Sequence, residues 1–437
     1  MPCLLYFNFS INSLRPLGLD GMENLMSTKA VVFNSLILLS LICFGISGSL
    51  SHIFNLGLVL FLTWNYFKSH NEFLIEPAAK KLFLLLCSVF FIFVVRGIFH
   101  SVPWASIEAL SPMVSIPIIG LMILFTPNNS LSISAREVEK YAKISIAATF
   151  FVYIIFSQSL AFKFGVTQNF LGRLEMFSGN PIPFSTVVFG LTIFCISNWR
   201  YSKIVDKIVT IACLLIGFWL AGITSGTRGT LLAIIVAIPI IIWLMTRSLI
   251  LCLLITFGAV AVFWILQSNG VTIIESGYIT RLSNGLNTLI NKGGSDNSIQ
   301  LRTEMWSASL STIKENYLYG YDISNRFTAL SANLPETFKN TYSHPHNDIF
   351  ASTIGAGFIG GILSIFSLLS PMWAALLSKE NIKEKLFLGI LLTLGLLITA
   401  NVNTVFFNDI TAAWLVFSTF LIWNLNYLKQ RMQTSSL

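Results

Sequence analysis

The sequence predicts an all-α polytopic membrane protein of about 12 transmembrane helices, with one large, partly helical external loop between spans 9 and 10. Three observations carry that prediction. The 437 residues are 54% hydrophobic and only 11% charged, whereas a soluble domain carries roughly a quarter charged residues. Apolar runs of about 20 residues, the length that crosses a bilayer, recur along the chain. Polar residues gather instead in one stretch, from about Gln267 to Phe350, which holds two of the five histidines and a cluster of arginines.

The apolar runs fall at 31–48, 50–67, 82–101, 107–126, 141–162, 181–198, 207–223, 229–246, 248–267, 351–376, 385–402 and 409–427. Residues 1–30 lack the basic start, apolar middle and small-residue cleavage site of a signal peptide. They are expected to stay in the cytoplasm, with Met22 or Met26 as alternative starts and the first span as an uncleaved anchor. Residues 31–267 then hold spans one to nine, 268–350 the external loop, 351–427 the last three spans and 428–437 a cytoplasmic tail.

Orientation follows from Lys and Arg in the short loops, because basic loops stay inside. With the N-terminus inside, every inner loop is basic: Lys68, Lys80 and Lys81, then Arg136, Lys140 and Lys143, then Arg200, Lys203 and Lys207, then Arg247, then Lys379, Lys383 and Lys385. The net charge of +8 is thus mostly a topology signal, and no nucleic-acid partner is read from it. Five of the six cysteines fall in predicted spans and none in the long loop, so no disulfide framework is available there.

The outward-facing groups are the ones with chemistry to offer. The link after span five carries Lys163, Arg173 and the Gly179-Asn180-Pro181 turn. The link after span seven, Thr224 to Thr230, is so short that Arg228 sits at or just below the lipid headgroups. A guanidinium there is either a snorkelling anchor or the receiver of an anion. Flanking Gly226 and Gly229 suit close approach of a bulky anion. Within the long loop, residues 299–317 form an amphipathic helix with Arg302, Trp306, Leu310 and Ile313 on one stripe, and Asn316 and Gly320 mark a turn. Arg302 either faces the membrane domain or caps an ordinary packed helix.

His344 and His346 flank Pro345, which favours extended backbone at His344. In an extended chain both imidazoles face one pocket, and a neutral imidazole near pH 7 is well matched to taking a proton from a hydroxyl. Asn347 is placed to orient a ring or a sugar hydroxyl, and Asp348 to cap the tenth span. The bland alternative is a pair of structural histidines. A zinc site needs a third ligand, which no spaced His or Cys supplies. Gly355, Gly357 and Gly360 satisfy the G-x-G-x-x-G pattern literally, but without a strand–helix context it carries no nucleotide reading. Gly357 and Gly361 are expected to serve close helix packing.

Three blocks in order, Ser225-Gly226-Thr227-Arg228-Gly229, the Leu301-Arg302-x3-Trp306 helix followed by Gly320, and His344-x-His346-Asn347 leading into a span, resemble the O-antigen ligase and O-antigen polymerase superfamily of bacterial envelope glycosyltransferases. The resemblance covers most of the chain. It implies a multi-pass protein of the bacterial inner membrane with its active site facing the periplasm. It implies Arg228 and Arg302, with Arg173 less securely, on the diphosphate of an undecaprenyl-diphosphate-linked glycan donor. It implies His346 as catalytic base assisted by His344, and Asn347 and Asp409 in support, with neither metal nor cofactor. The ligase branch, with the lipid A-core as acceptor, is favoured over a polymerase joining lipid-linked repeat units. A related oligosaccharyltransferase stays open. A polysaccharide transporter or flippase is the alternative of another class, and nearly charge-free spans without internal repeats speak against it.

Overall fold

The computed structural model describes residues 20–69, 75–99, 108–126, 131–155, 167–168, 174–176, 180–248, 250–254, 257–258, 297–336, 338–339, 344–378 and 381–427. Among them, nine helices are long and apolar enough to cross a membrane. The fold is therefore helical and polytopic, as the apolar runs predict. The helices that build it are α1 (Asp20–Ile46), α2 (Gly48–Ser69), α3 (Pro77–Ile98), α4 (Ser115–Phe125), α5 (Ala135–Ile155), α6 (Pro181–Phe194) and α7 (Ile204–Phe218). They continue with α8 (Arg228–Thr246), α9 (Asn297–Glu315), α10 (Arg326–Ala332), α11 (Asp348–Leu368), α12 (Ser370–Leu377), α13 (Ile382–Val402) and α14 (Asp409–Asn424).

Three of the expected spans stand apart from those nine, for separate reasons. The run at 248–267 lies largely outside the described residues. The run at 141–162 falls in α5, whose first turns carry Arg136, Glu137, Glu139, Lys140 and Lys143. The run at 409–427 falls in α14, a helix of only 16 residues with nearly every side chain buried. At 1.5 Å per residue α14 spans about 24 Å, short of a hydrocarbon core about 30 Å thick.

Its burial on nearly every side places α14 in the core of the bundle. Trp414 of α14 meets Phe44 of α1 edge-on at 5.1 Å and Phe194 of α6 at 6.2 Å. At Gly190 a Cβ would stand 2.4 Å from the Trp414 ring, so only glycine admits the indole there.

The expected tenth span, 351–376, is two helices with a further break in the first. Pro371 opens α12 at a position where its missing N–H costs nothing. Inside α11, Ala356 and Gly357 leave the helical region, and Gly357 has φ +69°. The glycine pattern thus marks a helix break and not the helix–helix seam expected of Gly357. The chain after α9 fills the break. The Phe358 N–H donates to the Tyr317 carbonyl at 2.7 Å, the Tyr321 N–H to Ile354 at 2.7 Å, and the Asp322 N–H to Gly355 at 2.8 Å. Non-helical backbone at such a depth is tolerable only where protein satisfies it. The approach is close: a Cβ on Gly357 would lie 2.1 Å from the Leu318 carbonyl oxygen, and one on Gly320 would lie 2.5 Å from the Gly357 nitrogen. Asn316 and Gly320 do form the expected turn, with the Asn316 amide donating to the Gly320 carbonyl at 2.7 Å.

The amphipathic helix of the long loop is α9, rotated from the predicted stripe. Met305, Ala308, Ser309 and Thr312 are buried, whereas Leu310 is 49% exposed. Small residues let α9 lie close to its neighbours, and Trp306 at the edge meets Phe350 of α11 at 6.3 Å.

Candidate active site

The candidate site forms where the ends of α8, α9, α11 and α13 come together. Arg228 is the first residue of α8. The chain reaches it through a π-helical turn, Trp219–Thr224, and a tight turn in which Gly226 has φ +61°. The Ser225 and Thr227 hydroxyls lie 2.8 Å apart and are buried, fixing that turn. At Gly229 a Cβ would meet Val402 of α13 at 2.4 Å. The two glycines therefore serve the turn and the helix contact, a correction to the idea that both open space for an anion. Arg228 itself is half-buried at a helix N-terminus, where the exposed N–H groups and the helix dipole add to its positive field.

The last turn of α13 is the meeting point. Val402 packs on Gly229, next to Arg228. Asn401 accepts a hydrogen bond from the Asn347 amide at 3.0 Å. The Asn403 side chain interacts with the His346 ring and favours its protonated form. Arg302, half-buried near the start of α9, lies close enough for its charge to act on the same ring. The structure thus gathers Arg228, Arg302 and His346 around one end of the bundle. Arg173 lies outside the described residues. Asp409 sits at the start of α14 with its carboxylate 3.6 Å from the His52 ring of α2.

His344 and His346 come together with ring centroids 4.9 Å apart, through a turn rather than an extended segment. His346 has φ +47°, a left-handed conformation that costs a non-glycine residue roughly 1–2 kcal/mol. Its backbone N–H donates to Nδ1 of His344 at 2.7 Å, which occupies that lone pair. Burial lowers the pKa of His346, and the Arg302 charge lowers it further against the opposing Asn403 interaction. Its Nδ1 is buried with no hydrogen-bond partner among the described residues. His344 is driven down to about 3, by burial first and then by His346 and Arg326.

Because the folded value of His344 lies below the ordinary 6.5, the unfolded chain takes up a proton first as the solution is acidified. Its contribution to stability is complete above about pH 6.5 and is lost progressively towards about pH 3, by at most about 1.4 kcal/mol per pH unit. Thermal melts of the detergent-solubilised protein between pH 7 and 5 are expected to fall steadily, and His344→Asn is expected to flatten that slope. An unchanged slope in the variant would remove His344 as the cause.

Asn347, not Asp348, caps α11: its Oδ1 accepts from the Phe350 N–H at 3.0 Å. Asp348 is fully buried, and its Oδ2 accepts from the backbone N–H groups of Val405 and Phe406. Behind it lies a residue that sequence reasoning missed. Arg326, buried at the start of α10, is held between the rings of Phe327 and Phe407 at 4.2 and 4.1 Å. Burial lowers its pKa to about 9, opposed by Asp348 and Asp322, so it stays charged at neutral pH. Nothing near Arg326 in sequence signals this, because Phe407 arrives from the far end of the chain. Asn401 and Asn403 were missed too, although two amides closing an apolar helix are a readable polar signal. Among the described residues, no three His, Cys, Asp or Glu side chains gather as a metal site.

No curated protein matches this chain. Residues 211–365 match the family described as O-antigen ligase. That stretch runs from α7 through Arg228, Arg302 and the two histidines to the broken helix α11, and over it the chain is similar to the O-antigen ligase family.

Proposed function

We propose that this protein transfers an undecaprenyl-diphosphate-linked O-antigen glycan to the lipid A-core oligosaccharide at the periplasmic face of the inner membrane. The observation that carries the reading is the His346 ring, neutral at pH 7 with a buried and unpartnered Nδ1, set beside Arg302 and the start of α8 in the matched domain. A buried polar atom without a partner calls for an explanation, and an acceptor hydroxyl is the partner that this chemistry supplies.

Arg228 and Arg302 hold the donor diphosphate, and Arg173 adds a further contact. As the anomeric C–O bond breaks, negative charge grows on the departing diphosphate. Guanidinium groups already in place stabilise that charge without reorganising. His346 takes the proton from the acceptor hydroxyl as its oxygen forms the new bond from the opposite face, so the anomeric centre inverts. His344 keeps the turn in place, since its Nδ1 already accepts from the His346 backbone. Asn347 orders the same turn through Phe350 and Asn401. Asp409 supports the site from the start of α14.

An O-antigen polymerase uses the same donor and leaving group and differs in its acceptor. Lipopolysaccharide from a deletion strain separates the two. Loss of a ligase leaves core without O-chains, and that is the expected profile. Core carrying a single repeat assigns the polymerase reaction instead, and an unaltered profile rejects both.

A further inference from the structure

A cavity of about 720 Å³ opens at the opposite end of α8 from Arg228, within the range of about 300–1,000 Å³ typical of ligand clefts. With 19 residues in α8 at about 1.5 Å each, it lies a bilayer's thickness away from the histidines and plays no part in glycan transfer. Four cations line it, Arg200, Lys207, Arg247 and Lys383, against one carboxylate, Glu384. That carboxylate already faces Arg200 at 3.5 Å. Among the described residues no ion pair is formed by Lys207, Arg247 or Lys383. Lys207 lies over the Trp199 ring at 5.4 Å and Arg247 over Trp243 at 5.9 Å. Arg247 is held there by a left-handed C-cap, φ +56°, whose N–H donates to the Trp243 carbonyl at 2.8 Å.

The cavity continues towards lipid. Ile390, two helical turns beyond Lys383 on α13, also lines it and is 41% exposed, and Trp243 is 42% exposed. A groove with unpaired cations at its mouth and apolar walls about 10 Å deeper fits a molecule with an anionic head and a hydrocarbon tail. The same four cations belong to the loops that the basic-loop rule places inside.

From this geometry we infer that the cavity between the ends of α6, α8 and α13 binds an anionic glycerophospholipid of the cytoplasmic leaflet. The phosphodiester sits among Lys207, Arg247 and Lys383, and an acyl chain runs along Trp243 and Ile390. Basic pockets between membrane helices on that side are suited to such headgroups.

The test uses the full chain purified in a neutral detergent, titrated with phosphatidylglycerol or phosphatidylcholine and read by native mass spectrometry. Tighter binding of phosphatidylglycerol is expected. Each basic residue near an anionic headgroup adds roughly fivefold in affinity, so Lys207→Gln/Arg247→Gln is expected to weaken binding by about 25-fold. The control Lys68→Gln/Lys80→Gln removes two basic residues from the same side outside the cavity and is expected to bind as wild type. Both variants are first required to elute as wild type on size exclusion, and Lys383→Gln with Lys207→Gln replaces a double variant that does not. Soluble glycerol 3-phosphate forms the third arm. Equal retention of the two lipids, equal loss in the control, or binding of glycerol 3-phosphate as tight as that of the lipid each overturns the inference.

Discussion

His346→Ala is expected to lower glycan transfer by a factor of about 10² to 10⁴, the range that one general base supplies, while the protein remains folded in the membrane. The substitution gives up the ring contact with His344 at 4.9 Å and the Asn403 interaction, while the His346 Nδ1 has no partner among the described residues to lose. Arg302→Ala is expected to cost about 10² to 10³, as removal of a single preorganised donor does. The two variants differ in their pH dependence. In reconstituted vesicles the wild-type rate is expected to hold level as pH falls to the ordinary imidazole value and to drop only below it, because burial and the Arg302 charge both lower the His346 pKa. Arg302→Gln removes one of those two causes, so its acid limb moves to higher pH. Near-normal transfer in both alanine variants, or an acid limb that ignores Arg302, would rule out this pair as base and electrostatic neighbour.

The second large effect is one of stability. Asp348→Ala is expected to destabilise the protein by about 2–6 kcal/mol, about 1–3 kcal/mol for each of the two buried backbone donors left without their acceptor. The carboxylate is fully buried, receives the Val405 and Phe406 N–H groups, and interacts with the buried Arg326 guanidinium. Its truncation leaves two buried backbone donors without an acceptor. Asp348→Asn retains an acceptor for the N–H groups, so a smaller loss is expected. Denaturant or thermal melts in detergent provide the measurement. A loss below about 1 kcal/mol for the alanine variant would mean that the α11 start is held by other contacts.

Much of the candidate site was legible because its residues are chemically conspicuous. A histidine pair next to a proline at a span boundary, and arginines on the outer side of an apolar chain, stand out against a background of Leu, Ile and Phe. Their local geometry was less legible. The His-x-His spacing suggested an extended segment, yet the pair closes through a left-handed residue stabilised by a hydrogen bond between the two histidines. No periodicity announces such a turn. Leu310 was assigned to the buried stripe of α9 because it is large and apolar, but the buried face includes the small residues Ala308, Ser309 and Thr312. Hydropathy ranks those small residues low, and tight packing selects them. The roles of Gly357 and Gly320 depend on segments remote in sequence meeting backbone to backbone. The same holds for Arg326, whose second ring comes from Phe407.

The break in α11 bears on how this protein can be re-engineered. Residues 317–322 are tied to carbonyls and an N–H group of the membrane helix itself, so the segment that carries Arg302 has no surface of its own to detach from. Grafting only the hydrophilic loop from a relative would put a foreign strip of main chain against a gap shaped for this one, with no Cβ tolerated on either side. A chimera that exchanges residues 297–361 as a single cassette keeps both halves of that lock together.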